Sequence, residues 1–284
     1  MANMTEGWQV IAASVAGSSH LEKRLPCQDV YAFRVLPGGE LLAAVSDGAG
    51  SAGRSQDGAH LSVEAALAGL EALCQEALPG DEAGWQAAIR NLFDEIHQEL
   101  IALADTAGVP PNDFSATLTC ALVTAEWLVI GQIGDGTAVA ESATSVPSTE
   151  GVEHPLFLTA RPQRGEYANE TCFLTQPDAA RCVIVYATRK PVRTLALSTD
   201  GLLRLAFRLP GYEPHSGFFK PLFAFAREAM NETLAQAELA AFLASERVCA
   251  RTDDDKTLLL AVYNDQHGKR PTRRRGRRRK DVCV

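Results

Sequence analysis

The chain has 284 residues, 46% hydrophobic and 22% charged, with a net charge of −8. This is an ordinary globular composition with ample material for a core. Residues 269–284 hold nine Lys or Arg and one Asp, leaving 18 basic and 34 acidic residues elsewhere, or −16. An acidic body disfavours non-specific nucleic-acid binding and suits cations. The seven cysteines are scattered with no C-x-x-C pair, which argues against a disulfide framework and a structural zinc site. No signal-peptide pattern opens the sequence and no apolar run is long enough to span a bilayer, so the expected compartment is the reducing cytoplasm.

Residues 8–15 alternate loosely and predict a first strand. Residues 17–25 read as a polar loop carrying His20, Lys23 and Arg24. A second strand covers residues 30–35, and Pro37-Gly38-Gly39 turns into a third at residues 41–46. The opening is therefore antiparallel rather than βαβ. Residues 56–78 predict a long Ala/Leu-rich helix, broken by Pro79-Gly80-Asp81. Residues 85–104 predict a second helix, with Ile89, Leu92, Phe93, Ile96 and Leu100 on one face. Buried strands follow at 115–124 and 127–133, then a strand and small-residue loop over 137–148. Further strands are expected at 182–186 and 195–198, helices at 218–230 and 236–245, and a last strand at 257–263. Strands grouped together and helices grouped together indicate α+β layering. After Asn264 the composition changes sharply, and residues 265–284 read as a disordered basic tail.

One stretch dominates. The apolar run Leu41-Leu42-Ala43-Ala44-Val45 ends in Ser46-Asp47-Gly48, and glycines recur at Gly50 and Gly53. Leu195-Ala196-Leu197-Ser198-Thr199-Asp200-Gly201 repeats the pattern. An acid at the end of a buried strand is costly without a positive partner. Asp29, Asp135 and the run Asp253–Asp255 also fall at expected strand edges. Oxygen donors without nearby His or Cys favour Mg²⁺ or Mn²⁺ over zinc. Several carboxylates around one point can hold two such ions, which activate a water and neutralise a phosphoryl group. Arg24 has the fork needed to clamp phosphate oxygens.

These residues carry a resemblance. Arg24-x-x-x-Gln28-Asp29, Val45-Ser46-Asp47-Gly48, Ser115-Ala116-Thr117 with Gly134-Asp135-Gly136, Ser198-Thr199-Asp200-Gly201 and Asp254-Asp255-Lys256-Thr257 occur in the order expected of a family. The chain resembles the bacterial metal-dependent PP2C-type (PPM) serine/threonine protein phosphatases. The resemblance implies a four-layer αββα sandwich, two antiparallel sheets flanked by helix pairs, within a phosphatase domain at 1–264. It implies that Asp47 bridges two ions, Asp200 and Asp254 complete the first, and Asp29 and the Gly48 carbonyl serve the second. Asp135 with Asp200 would hold a third. Asp47, Asp200 and Arg24 would carry the hydrolysis of phosphoserine and phosphothreonine by a two-metal-activated water. Three departures stand out: Ala49 where many members have His, Gln28 for an acidic residue, and Gly136 for Ser.

Other readings of the same residues remain. Gly48-x-Gly50-x-x-Gly53 formally fits a dinucleotide-binding turn, but the strand pattern around it does not. Asp-Gly pairs also occur as plain turns. The six histidines form no ligand spacing, and Cys27 reads as packing more than as a reactive thiol. The basic tail reads equally as a binder of an acidic partner or as an inert end. A non-catalytic phosphoprotein-binding or scaffold module is the alternative to an enzyme; phosphorylated protein and a cognate kinase are the expected partners of the enzyme.

Overall fold

The computed structural model describes residues 7–148, 151–153, 155–163 and 171–264. The chain opens with β1 (Gly7–Val15), α1 (Ser18–Lys23), β2 (Asp29–Val35) and β3 (Leu41–Asp47). Two long helices follow, α2 (Ser55–Gln75) and α3 (Glu82–Ala107). Next come β4 (Leu118–Val123), β5 (Leu128–Ile133), β6 (Thr137–Ser142), a small hairpin of β7 (Val146–Ser148) and β8 (Gly151–Glu153), and β9 (Leu156–Ala160). After α4 (Ala179–Cys182) run β10 (Ile184–Thr188) and β11 (Val192–Ser198). The last third holds α5 (Leu203–Ala206), a second small hairpin of β12 (Phe207–Arg208) and β13 (Glu213–Pro214), α6 (Ser216–Glu228), α7 (Glu232–Leu243), α8 (Glu246–Cys249) and β14 (Lys256–Asn264).

Two five-stranded antiparallel sheets result, ordered β1-β14-β11-β6-β9 and β10-β5-β4-β3-β2. Their facing surfaces bury Val10, Leu41, Ala43, Val45, Ala121, Ile130, Leu197, Leu259 and Ala261. The outer face of the second sheet packs Leu42, Ala44, Leu118 and Leu122 against α2 and α3. The outer face of the first packs Ile11, Leu258, Leu260 and Val262 against α6 and α7. This is the αββα sandwich. It explains why β3 and β14 read as apolar runs rather than alternating ones: both faces of each strand are covered, so residues 41–46 and 256–262 are all buried. The α3 stripe predicted from periodicity is buried as expected, with Asp81 capping its start through the Gly84 N–H.

The sequence reading differs from the structure in several places. Residues 18–23, expected in a loop, form α1. Its six residues are too few to persist alone. They are held from outside: Ser19 N–H donates to the Asp253 carbonyl, and Gly17 N–H and His20 bond the Asp255 carboxylate. The strand expected at 182 begins at Ile184, because α4 occupies the residues before it. The short α5 and α8, the two hairpins and β9 lack the length for a periodic signal. The basic tail, residues 265–284, lies outside the described residues. Among the described residues no helix is long and apolar enough to cross a membrane.

Candidate metal centre

Antiparallel pairing decides what gathers at one end of the sandwich. Asp29 opens β2 and Asp47 closes β3, and the two are directly opposed in register. β14 runs antiparallel to β11, so the acidic run before β14 lies at the end where β11 delivers Asp200. β5 runs parallel to β3 two strands away, and Asp135 sits where the chain crosses from β5 in one sheet to β6 in the other. All five acidic positions read from the sequence therefore meet at one end, from both sheets.

Three of them meet around one point. Asp47, Asp135 and Asp200 each offer a carboxylate oxygen, and these oxygens lie within 4.8 Å of one another. Donors on opposite sides of a Mg²⁺ ion stand about 4.2 Å apart, so the trio is spaced for a small divalent cation. Asp29 and Asp254 flank the trio, and both act on Asp47 and Asp200 through their charge. Among the described residues no Lys, Arg or His pairs with Asp29, Asp47, Asp135 or Asp200.

The consequence is electrostatic. Burial, then the charges of Asp29, Asp200, Asp135 and Asp254, holds the Asp47 carboxyl well above the usual carboxylate range. Burial, then Asp135, Asp254 and Asp29, pushes Asp200 up to about 8. Burial raises Asp29 to about 7, opposed by the hydroxyl of Thr199, which donates to its Oδ2 at 2.6 Å. Burial also raises Asp135, against the Thr171 hydroxyl donating at 2.8 Å. Oxygen donors that repel one another, with no Lys, Arg or His ion-paired to them among the described residues, fit one or more hard divalent ions.

Both Asp-Gly pairs use glycine for close approach. A Cβ on Gly48 would stand 2.8 Å from the Ser55 backbone at the start of α2, and one on Gly201 would stand 1.9 Å from the Asp255 carbonyl. Neither glycine has a positive φ, so these are not the turn glycines that an Asp-Gly pair suggests. Gly50 and Gly53 meet nothing closer than 3.9 Å. Thr199 ties the sheets together: its hydroxyl donates to Asp29 in one, and the Thr257 N–H of the other donates to it at 3.0 Å.

The acidic run resolves into distinct residues. Asp253 and Asp254 are exposed, whereas Asp255 is buried. Its carboxylate accepts from Gly17 N–H at 2.7 Å and Gln28 N–H at 2.6 Å, and bonds His20 Nδ1 at 2.9 Å. Asp255 thus holds the segment between β1 and β2 that presents Arg24 and Asp29. Nothing in the sequence told which of three adjacent acids points inward, and His20 carried no signal at all. Arg24 follows α1 in a left-handed conformation (φ 58°), exposed and without a side-chain partner among the described residues. Burial and the charges of Asp29 and Asp255 push the Cys27 thiol up, so it stays a thiol and packs.

Comparison with known proteins adds to this geometry. The model of the family described as protein phosphatase 2C matches residues 16–244. The chain is 34% identical to serine/threonine-protein phosphatase 3 of Escherichia coli (strain K12) over 263 residues, covering 90% of this chain and 98% of that one. The fold is similar to serine/threonine phosphatase Stp1 from Staphylococcus aureus, with a TM-score of 0.60 at 15% identity, over 93% of this chain and 99% of that one. It is also similar to serine-threonine phosphatase 2C from Toxoplasma gondii, with a TM-score of 0.59 at 13% identity, over 90% and 95% of the two chains.

Proposed function

Because the chain belongs to the protein phosphatase 2C family, we propose that it hydrolyses phosphoserine and phosphothreonine in proteins at the carboxylate end of its sandwich. The observation that carries this reading is the meeting of Asp47, Asp135 and Asp200 within 4.8 Å. Two Mn²⁺ or Mg²⁺ ions, with a third at Asp135 and Asp200, would supply a water of lowered pKa and neutralise phosphoryl charge. Asp47, Asp200 and Asp254 would hold one ion, and Asp47, Asp29 and the Gly48 carbonyl the other. Arg24, exposed and unpaired, binds the phosphate oxygens. Asp255 positions that segment, and Thr199 fixes the Asp29 carboxylate toward the centre.

No observation favours the non-catalytic alternative, since the acidic donors are all retained. The same reading takes residues 1–264 as the phosphatase domain and 265–284 as a tail that binds an acidic partner. It also takes a cognate kinase as counterpart and a cytoplasmic location, the latter supported by Cys27, Cys74, Cys120, Cys182 and Cys249, none of which is in a disulfide. The test is hydrolysis of p-nitrophenyl phosphate and of a phosphothreonine peptide under Mn²⁺ titration, with and without EDTA. Turnover stimulated by Mn²⁺ and lost in Asp47→Asn and Asp200→Asn is expected; undiminished turnover in both variants rejects the site.

A further inference from the structure

A second feature lies beside the acidic centre. Between α5, β12, the start of α6 and α8 is a cavity of about 610 Å³, within the range of ligand-binding sites. Arg204, Arg208, Arg247, Arg251 and His215 line it, and no Asp or Glu does. The arginines form two pairs, each spaced by four residues, on the α5–β12 segment and on α8 with its exit. All four are exposed and none has a side-chain hydrogen bond or ion pair among the described residues. The floor is apolar: Phe218 and Phe242 face each other at 6.4 Å between ring centroids, with Leu222 beside them. The first turn of α6, which has no side-chain cap, adds its positive end.

We propose that this cavity is a docking site for an acidic segment of the phosphoprotein substrate, bearing carboxylates around one apolar side chain. The inference rests on the phosphatase reading and names the substrate class for it. Four unpaired arginines on a body of net charge −16 are stabilised by acidic groups from outside. The chain's own residues 269–284, at +8, carry the same sign as the cavity and do not complement it. Arginines dispersed over two segments around an apolar floor suit carboxylates spaced along a peptide better than one compact phosphate cluster.

The position is tied to the metal centre by the chain. Arg204 follows Asp200 by four residues and Arg251 precedes Asp254 by three. At about 3.6 Å per residue the backbone at Arg251 lies no more than about 11 Å from that at Asp254. An extended substrate would span that gap with about three to six residues. The acidic segment is therefore close in sequence to the phosphorylated residue.

The experiment uses two phosphothreonine peptides, one flanked by Glu residues around a Leu and one with those positions replaced by Gln and Ser. The wild-type enzyme with Mn²⁺ is expected to favour the acidic peptide by about tenfold in kcat/KM, chiefly through KM. The double variant Arg247→Glu/Arg251→Glu should bring that ratio to about one, and added salt should lower it in the wild type. Anisotropy of the labelled acidic peptide without phosphate reads binding independently of turnover. Should the first variant fail to fold, Arg208→Glu on β12 applies the same test. Equal kcat/KM for both peptides, or a preference unmoved in the variants, overturns the proposal, as does displacement of the labelled peptide by ATP at concentrations below those of the peptide itself. If neither peptide is turned over yet the acidic one binds and the variants lose it, the phosphatase reading fails and the docking site stands.

Discussion

The molecule gathers like charges twice, on segments that adjoin in sequence, and with opposite results. At the carboxylate end, short side chains are fixed at strand ends and half-buried, so Asp47, Asp135 and Asp200 repel one another within 4.8 Å. In the cavity by α6 and α8, long side chains reach out from α5, β12, α8 and the turn after it, and all four arginines are exposed. Burial converts the first crowd into raised carboxyl pKa values and a demand for divalent cations. Solvent screens the second, which recognises other molecules without straining the fold. The backbone sets the first arrangement, so its chemistry is rigid; side-chain rotamers set the second, which suits selectivity.

The largest effect that separates the two regions is on turnover. Asp47→Asn or Asp200→Asn should lower kcat on p-nitrophenyl phosphate by about a thousandfold or more, since an ion ligand is worth several kcal/mol of charge stabilisation. The same substitutions should raise the melting temperature in EDTA, because each removes one buried, repelling carboxylate. A variant that lost both activity and stability would show that the acid serves packing instead.

Next in size is Asp255→Ala. It leaves the Gly17 and Gln28 N–H groups and His20 without their acceptor, at a cost of about 3 kcal/mol. Urea unfolding reads this directly, and α1 should lose its protection from hydrogen exchange. A loss under 1 kcal/mol, allowing for about that much scatter, would mean that α1 stands without this anchor.

The pH dependence is smaller and has a definite sign. In EDTA, Asp29 at about 7 and Asp200 at about 8 sit above their unfolded value, which is roughly 4. Between those limits the folded chain binds more protons than the unfolded one, so its stability falls as pH rises from about 4 to about 8. Saturating Mn²⁺ should abolish the fall. Melting curves at pH 5 and pH 8, with and without the ion, check this; a metal-free protein more stable at pH 8 contradicts it. The smallest effect belongs to the basic cavity, where charge reversal should shift peptide preference by about tenfold.

The sequence by itself determined the strand runs, the α3 stripe and the acid-then-glycine endings, because these follow from local periodicity and chain-direction changes. The motif order was enough to identify the family and its sandwich. Tertiary structure alone decided which acids share one centre: Asp135, a turn residue by its own neighbours, enters the trio, while Asp29 and Asp254 flank it. It also singled out Asp255 within an acidic run, made a helix of residues 18–23, and assembled a cavity from two arginine pairs some forty residues apart in the chain. The physical reason is common to all of these. Strand register and sheet packing bring together groups that share no local pattern, so each acquires its role only from what the fold places against it.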